Sequence, residues 1–368
     1  MGKNLAKGMD RTLLVIILFM VTFGFFIFSS ASLGLLAREG ARFSSVAFSQ
    51  ITFGIIGGLS LMFLASQLYY RNWREYAFYI FVATVLLTLC VFIPGLGIEH
   101  GGAKRWIGIG GFSFQPAELL KIGYIIYMAT WLSGVHKTID TFKQGTLPFV
   151  GITLIVAFVM LIQPDTDTFL IMATAGTAMF VVAGGKARDV FLMFLGGVLL
   201  ITILALSRPY IKDRLLTFVN PSADPQGKSY QIQQSLIAIG SGGINGRGFG
   251  QSIQKFEYLP EPIGDSVFAV YAEEFGFIGS ALLILLITFF TFRGYKIASH
   301  ATDLFGMLLV VGFMTLIAMQ AFLNIAAMIA LAPLMGLPLP FISHGGTALL
   351  ATLASVGIVL NVSKYQKK

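Results

Sequence analysis

The sequence predicts an all-α polytopic membrane protein with ten transmembrane helices, and two observations carry that prediction. The first is composition: 56% of the 368 residues are apolar and only 11% are charged, whereas a soluble domain carries about 25% charged residues. A single core in water has no room for that much apolar side chain, while 34 Phe and 41 Gly suit helices packed closely in lipid. The second is spacing. About 20 predominantly apolar residues cross a bilayer, and the chain divides into ten such stretches.

In chain order the spans are roughly 12–31, 46–69, 76–93, 116–133, 147–162, 168–183, 190–206, 266–292, 304–331 and 347–362. No small-residue cleavage site follows the first stretch and more spans do, so it reads as a retained helix rather than a signal peptide. Gly, Pro and polar residues within spans are tolerated where neighbouring helices satisfy the backbone. A Pro-rich turn from Pro333 to Pro340 divides the last two. The single cysteine, Cys90, lies inside an apolar run, which leaves no disulfide framework and no Cys-based metal site within one chain.

The net charge of +8 is not a nucleic-acid signal, because the basic residues punctuate the spans and phospholipid headgroups are their natural counter-charge. Positive-inside counting sets the orientation. With the N-terminus in the cytoplasm, fourteen Lys and Arg fall inside, among them Lys3, Lys7 and Lys368, against Arg38, Arg42, Lys104 and Arg105 in the short outer loops. Both termini are therefore expected in the cytoplasm.

Two loops are long, 94–115 and 207–264, and both face outward in this orientation; long ordered loops carry function. In the second, Ile232, Leu236 and Ile239 recur at helical spacing and predict a short amphipathic helix lying on the interface. The glycines at 240, 242, 243, 246, 248 and 250 predict a pliable stretch after it. Gly246-Arg247-Gly248-Phe249-Gly250 lacks the spacing and the strand–helix setting of a nucleotide loop, and faces away from cytosolic ATP.

Ionisable groups in or beside a bilayer are functional suspects. Here they are Glu118, Lys121, Asp165, Asp167, Asp265, Glu273 and Glu274, too sparse for a proton relay spread over several helices. Asp265 opens the eighth span behind Leu259-Pro260-Glu261-Pro262. Two readings stand: a helix N-cap, or a general base at the membrane surface. Glu118 and Lys121, at i and i+3, form either a self-neutralising pair or a cation aimed into a cavity. Arg105-Trp106 offers a cation beside an aromatic plate, or a belt tryptophan. His100, His136, His300 and His344 are scattered, so no metal cluster can be argued.

Several strings together resemble the SEDS family (shape, elongation, division and sporulation), the FtsW/RodA-type peptidoglycan polymerases. They are Gly102-Ala103-Lys104-Arg105-Trp106-Ile107, Gln115-Pro116-Ala117-Glu118 with Lys121, and Gln163-Pro164-Asp165. Tyr230-Gln231 through Ser241-Gly242-Gly243 follow, then Lys255 to Glu261 and Asp265 with Phe268-Ala269 and Glu273-Glu274-Phe275-Gly276. Last come Gln320, Asn324 and Leu339-Pro340-Phe341-Ile342-Ser343 with Gly345-Gly346. The matches run end to end in family order, and the Tyr-Leu-Pro-Glu string and the acidic pair look more like FtsW than RodA. Four positions depart from the pattern: Gly264 for the usual Thr, Ser266 for Phe, Asp167 for Gly and His344 for Tyr.

The resemblance implies the ten-helix SEDS fold as one domain over 1–368, and an enzyme that polymerises lipid II on the outer face of the bacterial plasma membrane. It implies Asp265 as the essential carboxylate. The candidate substrate-binding set is Arg105, Trp106, Glu118, Lys121, Arg214, Lys255, Glu261 and Ser343. The chemistry fits one acid: an acceptor hydroxyl attacks an anomeric carbon, one base takes its proton, and the diphosphate leaves as an anion steadied by cations such as Arg105, Lys121, Arg214 and Lys255. A paired-carboxylate arrangement is unnecessary. A divalent cation, Mg or Mn, stays open, with no ligand cluster to mark it. Family analogy implies a class B penicillin-binding protein, a transpeptidase, as partner, within the division or elongation machinery. The competing readings are a transporter (flippase) of lipid II and a scaffold that only recruits the transpeptidase.

Overall fold

The computed structural model describes residues 8–38, 40–100, 102–109, 112–221, 224, 227 and 229–367. Lys3, Lys7 and Lys368, counted on the inner side above, lie outside the described residues, as do the side chains of Arg38 and Arg42.

The first span is α1 (Arg11–Ala31), extended by α2 (Leu33–Arg38). The second is α3 (Gly40–Ser49), a wide π-helical segment Gln50–Gly57, and α4 (Gly58–Gln67). Next come α5 (Asn72–Leu89), α6 (Pro116–Val135), α7 (Leu147–Ile162), α8 (Thr166–Val182) and α9 (Ala187–Ser207). The long outer segment holds α10 (Pro209–Val219), α11 (Tyr230–Gly242) and α12 (Gln254–Glu257), before α13 (Val267–Ser299), α14 (Leu304–Met328) and α15 (Gly346–Ser363). Among the described residues, eight helices are long and apolar enough to cross a membrane. The other two expected spans are helical as well, but α8 has 17 residues and α6 carries buried Glu118 and Lys121.

Lipid explains the burial pattern. Phe19, Phe63, Phe78, Tyr79, Phe158, Phe194, Phe277 and Phe292 are exposed, an apolar surface that no monomer presents to water. The interior is built around α14, buried over most of its circumference, with α6, α8, α13 and α15 packed on it. At the other extreme, α9 buries one described side chain, Asp189, which accepts a hydrogen bond from the Thr146 hydroxyl.

The loop at 94–115 is a three-stranded antiparallel sheet, β1 (Gly97–His100), β2 (Ala103–Ile109) and β3 (Phe112–Phe114). His100 pairs with Ala103 and Ile109 with Phe112, and in the sequence two glycines stand between the members of each pair. Gly-Gly between strands is a hairpin signal. Because side chains alternate along a strand, Arg105 shares a face with buried Ala103 and Ile107, while Trp106 lies on the opposite face with exposed Lys104. The expected pairing of a cation beside an aromatic plate is thereby corrected.

The amphipathic helix is present as α11, with a different inner face. Ile232, Ser235, Ala238 and Gly242 are buried against α13, while Leu236 and Ile237 face outward. Small residues let two backbones approach: a Cβ on Gly242 would strike the Ala272 carbonyl.

The glycine stretch after α11 is pinned rather than pliable. At Gly276, with φ 66° and ψ −162°, α13 is broken, and the freed groups pair with the glycine stretch. Arg247 and Gly248 N–H donate to the Glu273 and Glu274 carbonyls at 3.0 and 2.9 Å, and Phe277 and Ile278 N–H to the Gly243 and Ile244 carbonyls at 2.9 and 3.1 Å. A broken membrane helix survives where neighbouring backbone satisfies it in this way.

Candidate active site

The site is built around the turn that precedes α13. Asp265 is half-buried there; the helix cap falls one residue later, on Ser266, whose side chain makes no capping bond. The Asp265 carboxylate accepts no hydrogen bond from a described residue. The N-cap reading of Asp265 fails on that geometry, and the carboxylate oxygens are left unengaged by the described residues.

Its backbone, by contrast, is fixed at three consecutive carbonyls. The Ile263 carbonyl accepts from His344 N–H at 2.7 Å, the Gly264 carbonyl from the Ser343 hydroxyl at 2.7 Å, and the Asp265 carbonyl from the Asn324 amide at 2.8 Å. Asn324 and Gln320 stand one turn apart on α14 and reach the Leu337 and Pro338 carbonyls at 2.7 and 2.8 Å. The Pro-rich segment between α14 and α15 is thus clamped to α14 on one side and to the Asp265 turn on the other. Two residues in these turns hold left-handed backbone, Glu261 (φ 46°) and Phe341 (φ 68°), a strain that surrounding structure must hold in place.

Charges converge on Asp265 from several elements. Burial pushes its carboxyl up to about 7; the Glu261 and Asp167 carboxylates push in the same direction, and the Arg214 and Arg105 guanidinium groups oppose them. Asp167, in the first turn of α8, is buried. It accepts from Arg214 Nη1 at 2.9 Å on Oδ1 and 2.8 Å on Oδ2, and from Gly336 N–H at 3.0 Å. Gly336 separates the two acids: a Cβ there would stand 3.6 Å from Asp265 Oδ2 and 4.0 Å from Asp167 Oδ2. Arg214 also lies over the Tyr210 ring, 6.0 Å from its centre. Arg105 reaches from β2 to donate to the Gln163 carbonyl at 3.1 Å, and to that of Pro164, gripping the turn that leads into α8. Asp165 caps that helix through Thr168 N–H at 3.3 Å, and burial holds its carboxyl above the usual range.

Other residues of the candidate set are committed to protein contacts, beside this mouth or away from it. Glu118 and Lys121 form a buried ion pair at 2.7 Å, and Lys121 Nζ donates to Gln320 Oε1 at 3.0 Å. Gln320 carries the contact on to the Pro338 carbonyl, and the pair lines a small cavity with Phe313, Leu316 and Ala351. Lys255 is fully enclosed: its ammonium meets Glu274 Oε1 at 2.7 Å, Ser30 Oγ at 3.0 Å and the Gly250 carbonyl at 2.8 Å. It braces the outer segment and has no open face for substrate. Ser343 donates to Gly264 and accepts from Leu339 N–H at 2.8 Å, so its hydroxyl is committed to the turn. Trp106 faces away from Arg105, as above. What the geometry gathers is Asp265, Asp167, Arg214, Glu261 and Arg105.

The sequence reading named Asp167 among the ionisable suspects and Gln320 and Asn324 among the motif residues, but assigned none of the three to the catalytic or substrate-binding set. The signal was there: amides spaced i and i+4 on a helix otherwise apolar all round. Among the described residues no group of three or more His, Cys, Asp or Glu is arranged to hold a metal. Both Asp167 oxygens are taken by Arg214, so Asp167 and Asp265 together do not fit a resident cation. Ser266 is buried and its hydroxyl accepts from Gln231 Nε2 at 3.0 Å, which accounts for a small polar residue at that position.

Comparison with known proteins extends along the whole chain. The family model described as cell cycle protein, FtsW/RodA/SpoVE, matches residues 11–368. The chain is 39% identical over 358 residues to stage V sporulation protein E of Bacillus subtilis, covering 97% of this chain and 98% of that one. It is 38% identical over 310 residues to a probable peptidoglycan glycosyltransferase FtsW of Geobacter sulfurreducens, covering 84% and 83%. Its fold is similar to a chain in a structure titled for coordination of polymerization and crosslinking by a peptidoglycan synthase complex, with a TM-score of 0.79 and 26% identity over 97% and 98% of the two chains. The rod shape determining protein RodA of Thermus thermophilus gives a TM-score of 0.71 at 26% identity, covering 98% of each chain. With sequence motifs, helix order and the family match all in one register, this multi-pass membrane protein belongs to the FtsW/RodA/SpoVE family.

Proposed function

We propose that the chain is a peptidoglycan glycosyltransferase that polymerises lipid II, with Asp265 as its general base, and that it works as one ten-helix domain with both termini in the cytoplasm and the Asp265 mouth on the outer face of the plasma membrane. The observation that carries this is the Asp265 carboxylate itself: unengaged by the described residues, fixed through its backbone, and pushed up by burial to about 7, the range in which a base works best. An acceptor sugar hydroxyl gives its proton to that carboxylate as its oxygen bonds the donor's anomeric carbon. The bond from that carbon to the diphosphate oxygen breaks, and the configuration inverts. The leaving polyprenyl diphosphate carries its own charge, which Arg214 and Arg105 steady. Both lipid tails stay in the bilayer throughout, and the donor's activated bond removes any need for ATP.

A transporter needs a cation open to its cargo inside the bundle. Lys121 lines a small cavity inside the bundle, but its charge is already engaged by Glu118 and Gln320. The relatives' names support a cell-wall reaction, and the synthase complex to which the fold is similar supports a class B penicillin-binding protein as partner. The deciding experiment is polymerisation of purified lipid II by the purified protein, with and without that transpeptidase. The wild type is expected to make glycan strands and Asp265→Asn to make none while folding normally. Unlinked lipid II with the wild type sinks the reading, as does full activity of the variant.

A further inference from the structure

Arg214 is the cation bonded to Asp265's acidic neighbour, and the helix that carries it is shallowly buried. Of α10, one side chain, Ile211, is buried, and α10 continues from α9, which buries only Asp189. A long side chain on so loosely packed a helix has many rotamers to lose on meeting a ligand. Asp167 has the opposite character. It is 6% exposed and seated in the first turn of α8, where the helix N-terminus favours a carboxylate. Gly336 N–H holds it at 3.0 Å.

We propose that Asp167 is a positioning residue for Arg214: it holds the guanidinium at the mouth beside Asp265, so that the diphosphate of a lipid-linked sugar meets a cation already in place. This rests on the glycosyl-transfer reading above. Both bonds to Asp167 run from one nitrogen, Nη1, so this pair leaves the other edge of the planar fork for phosphate oxygens, the geometry that guanidinium groups suit. The same carboxylate joins α8, α10 and the segment containing Gly336, and that segment is bonded through the Leu337 carbonyl to Asn324 and so to Asp265. Base and cation are therefore set against each other by one buried acid.

A double-mutant cycle on lipid II polymerisation tests it, run at about pH 8.5 where Asp265 is ionised. Asp167→Ala and Arg214→Ala are each expected to lower kcat/KM about tenfold or more, chiefly through KM. The double variant should lie within about twofold of Arg214→Ala, because Asp167 acts through that residue. Asp167→Asn, which keeps the shape and one acceptor, should fold as the wild type does and show an intermediate loss. A second readout separates positioning from mere structure. The groups facing Asp265 are Glu261, Asp167, Arg214 and Arg105, so removing the Asp167 charge should move the acid limb of the pH–rate profile to lower pH. Additive losses in the cycle, or a lowered melting temperature with the acid limb unmoved, overturn the role of Asp167. A wild type that leaves lipid II unlinked overturns the glycosyl-transfer reading instead, so the two failures are distinct.

Discussion

Asn324 donates its amide to the Asp265 carbonyl at 2.8 Å and to the Leu337 carbonyl at 2.7 Å, so one side chain on α14 spaces the candidate base from the segment that faces it. Asn324→Leu keeps the volume and leaves two carbonyls without that donor. Each unsatisfied buried group costs about 1–3 kcal/mol, and a displacement of about 1 Å at a reacting group costs about a hundredfold in rate. The expected result is a lowered melting temperature and a kcat for lipid II polymerisation reduced about ten- to a hundredfold.

The raised carboxyl of Asp265 sets a pH dependence. A base must be ionised to accept a proton, so the rate should fall about tenfold per unit below pH of about 7 and level off above it. The stability effect has the opposite sign. Since its folded value of about 7 exceeds the unfolded one, the folded state keeps a proton that the unfolded chain has released between about pH 4 and 7. Stability is lost as pH rises through that window. Asp265→Asn should therefore melt no lower than the wild type at about pH 8 while being inactive, and a lower melting point there contradicts the assignment.

Lys255 and Glu274 are enclosed together, with side-chain exposures of 0% and 2%. Removing one partner of a buried pair strands the other's charge at a cost of about 3–5 kcal/mol. Lys255→Met is expected to depress expression and melting temperature strongly, and the Lys255→Met/Glu274→Leu pair to recover much of that loss. Thermal unfolding in detergent checks both.

Two glycines near the site should answer differently to substitution. At Gly264 an added Cβ meets nothing nearer than Glu261 Oε2 at 3.6 Å, an ordinary contact, so Gly264→Ala should retain activity within about twofold. At Gly276, with φ 66°, the Cβ would press on the Gly246 nitrogen and the Ile244 carbonyl. Gly276→Ala is expected to cost about 1–3 kcal/mol or more, visible as a lower melting temperature and loss of polymerisation.

The spans were legible because lipid demands long apolar runs, and Asp265 because an acid between two prolines and a membrane helix has few reasons to be there. The sheet over 97–114 was harder to read, since its strands are short and its sequence signal rests on two Gly-Gly pairs. Lys255 misled for a physical reason: a basic residue in an outer loop looks open to ligand, and its partner Glu274 lies 19 residues further on, in a helix whose packing against that loop periodicity does not reveal. Asp167 read as a departure from a pattern, whereas its meaning depends on Arg214, 47 residues away in sequence. Residues that act alone could be found from sequence; those that act in pairs needed the fold.

The interruption at Gly276 divides the longest helix into a shaft and a tip. The glycine ribbon is bonded on both sides of that joint, to the Glu273 and Glu274 carbonyls before it and to the Phe277 and Ile278 amides after it, so the outer segment splints the two pieces together. The Asp265 turn, at the free end of the tip, therefore answers to whatever bears on that splint.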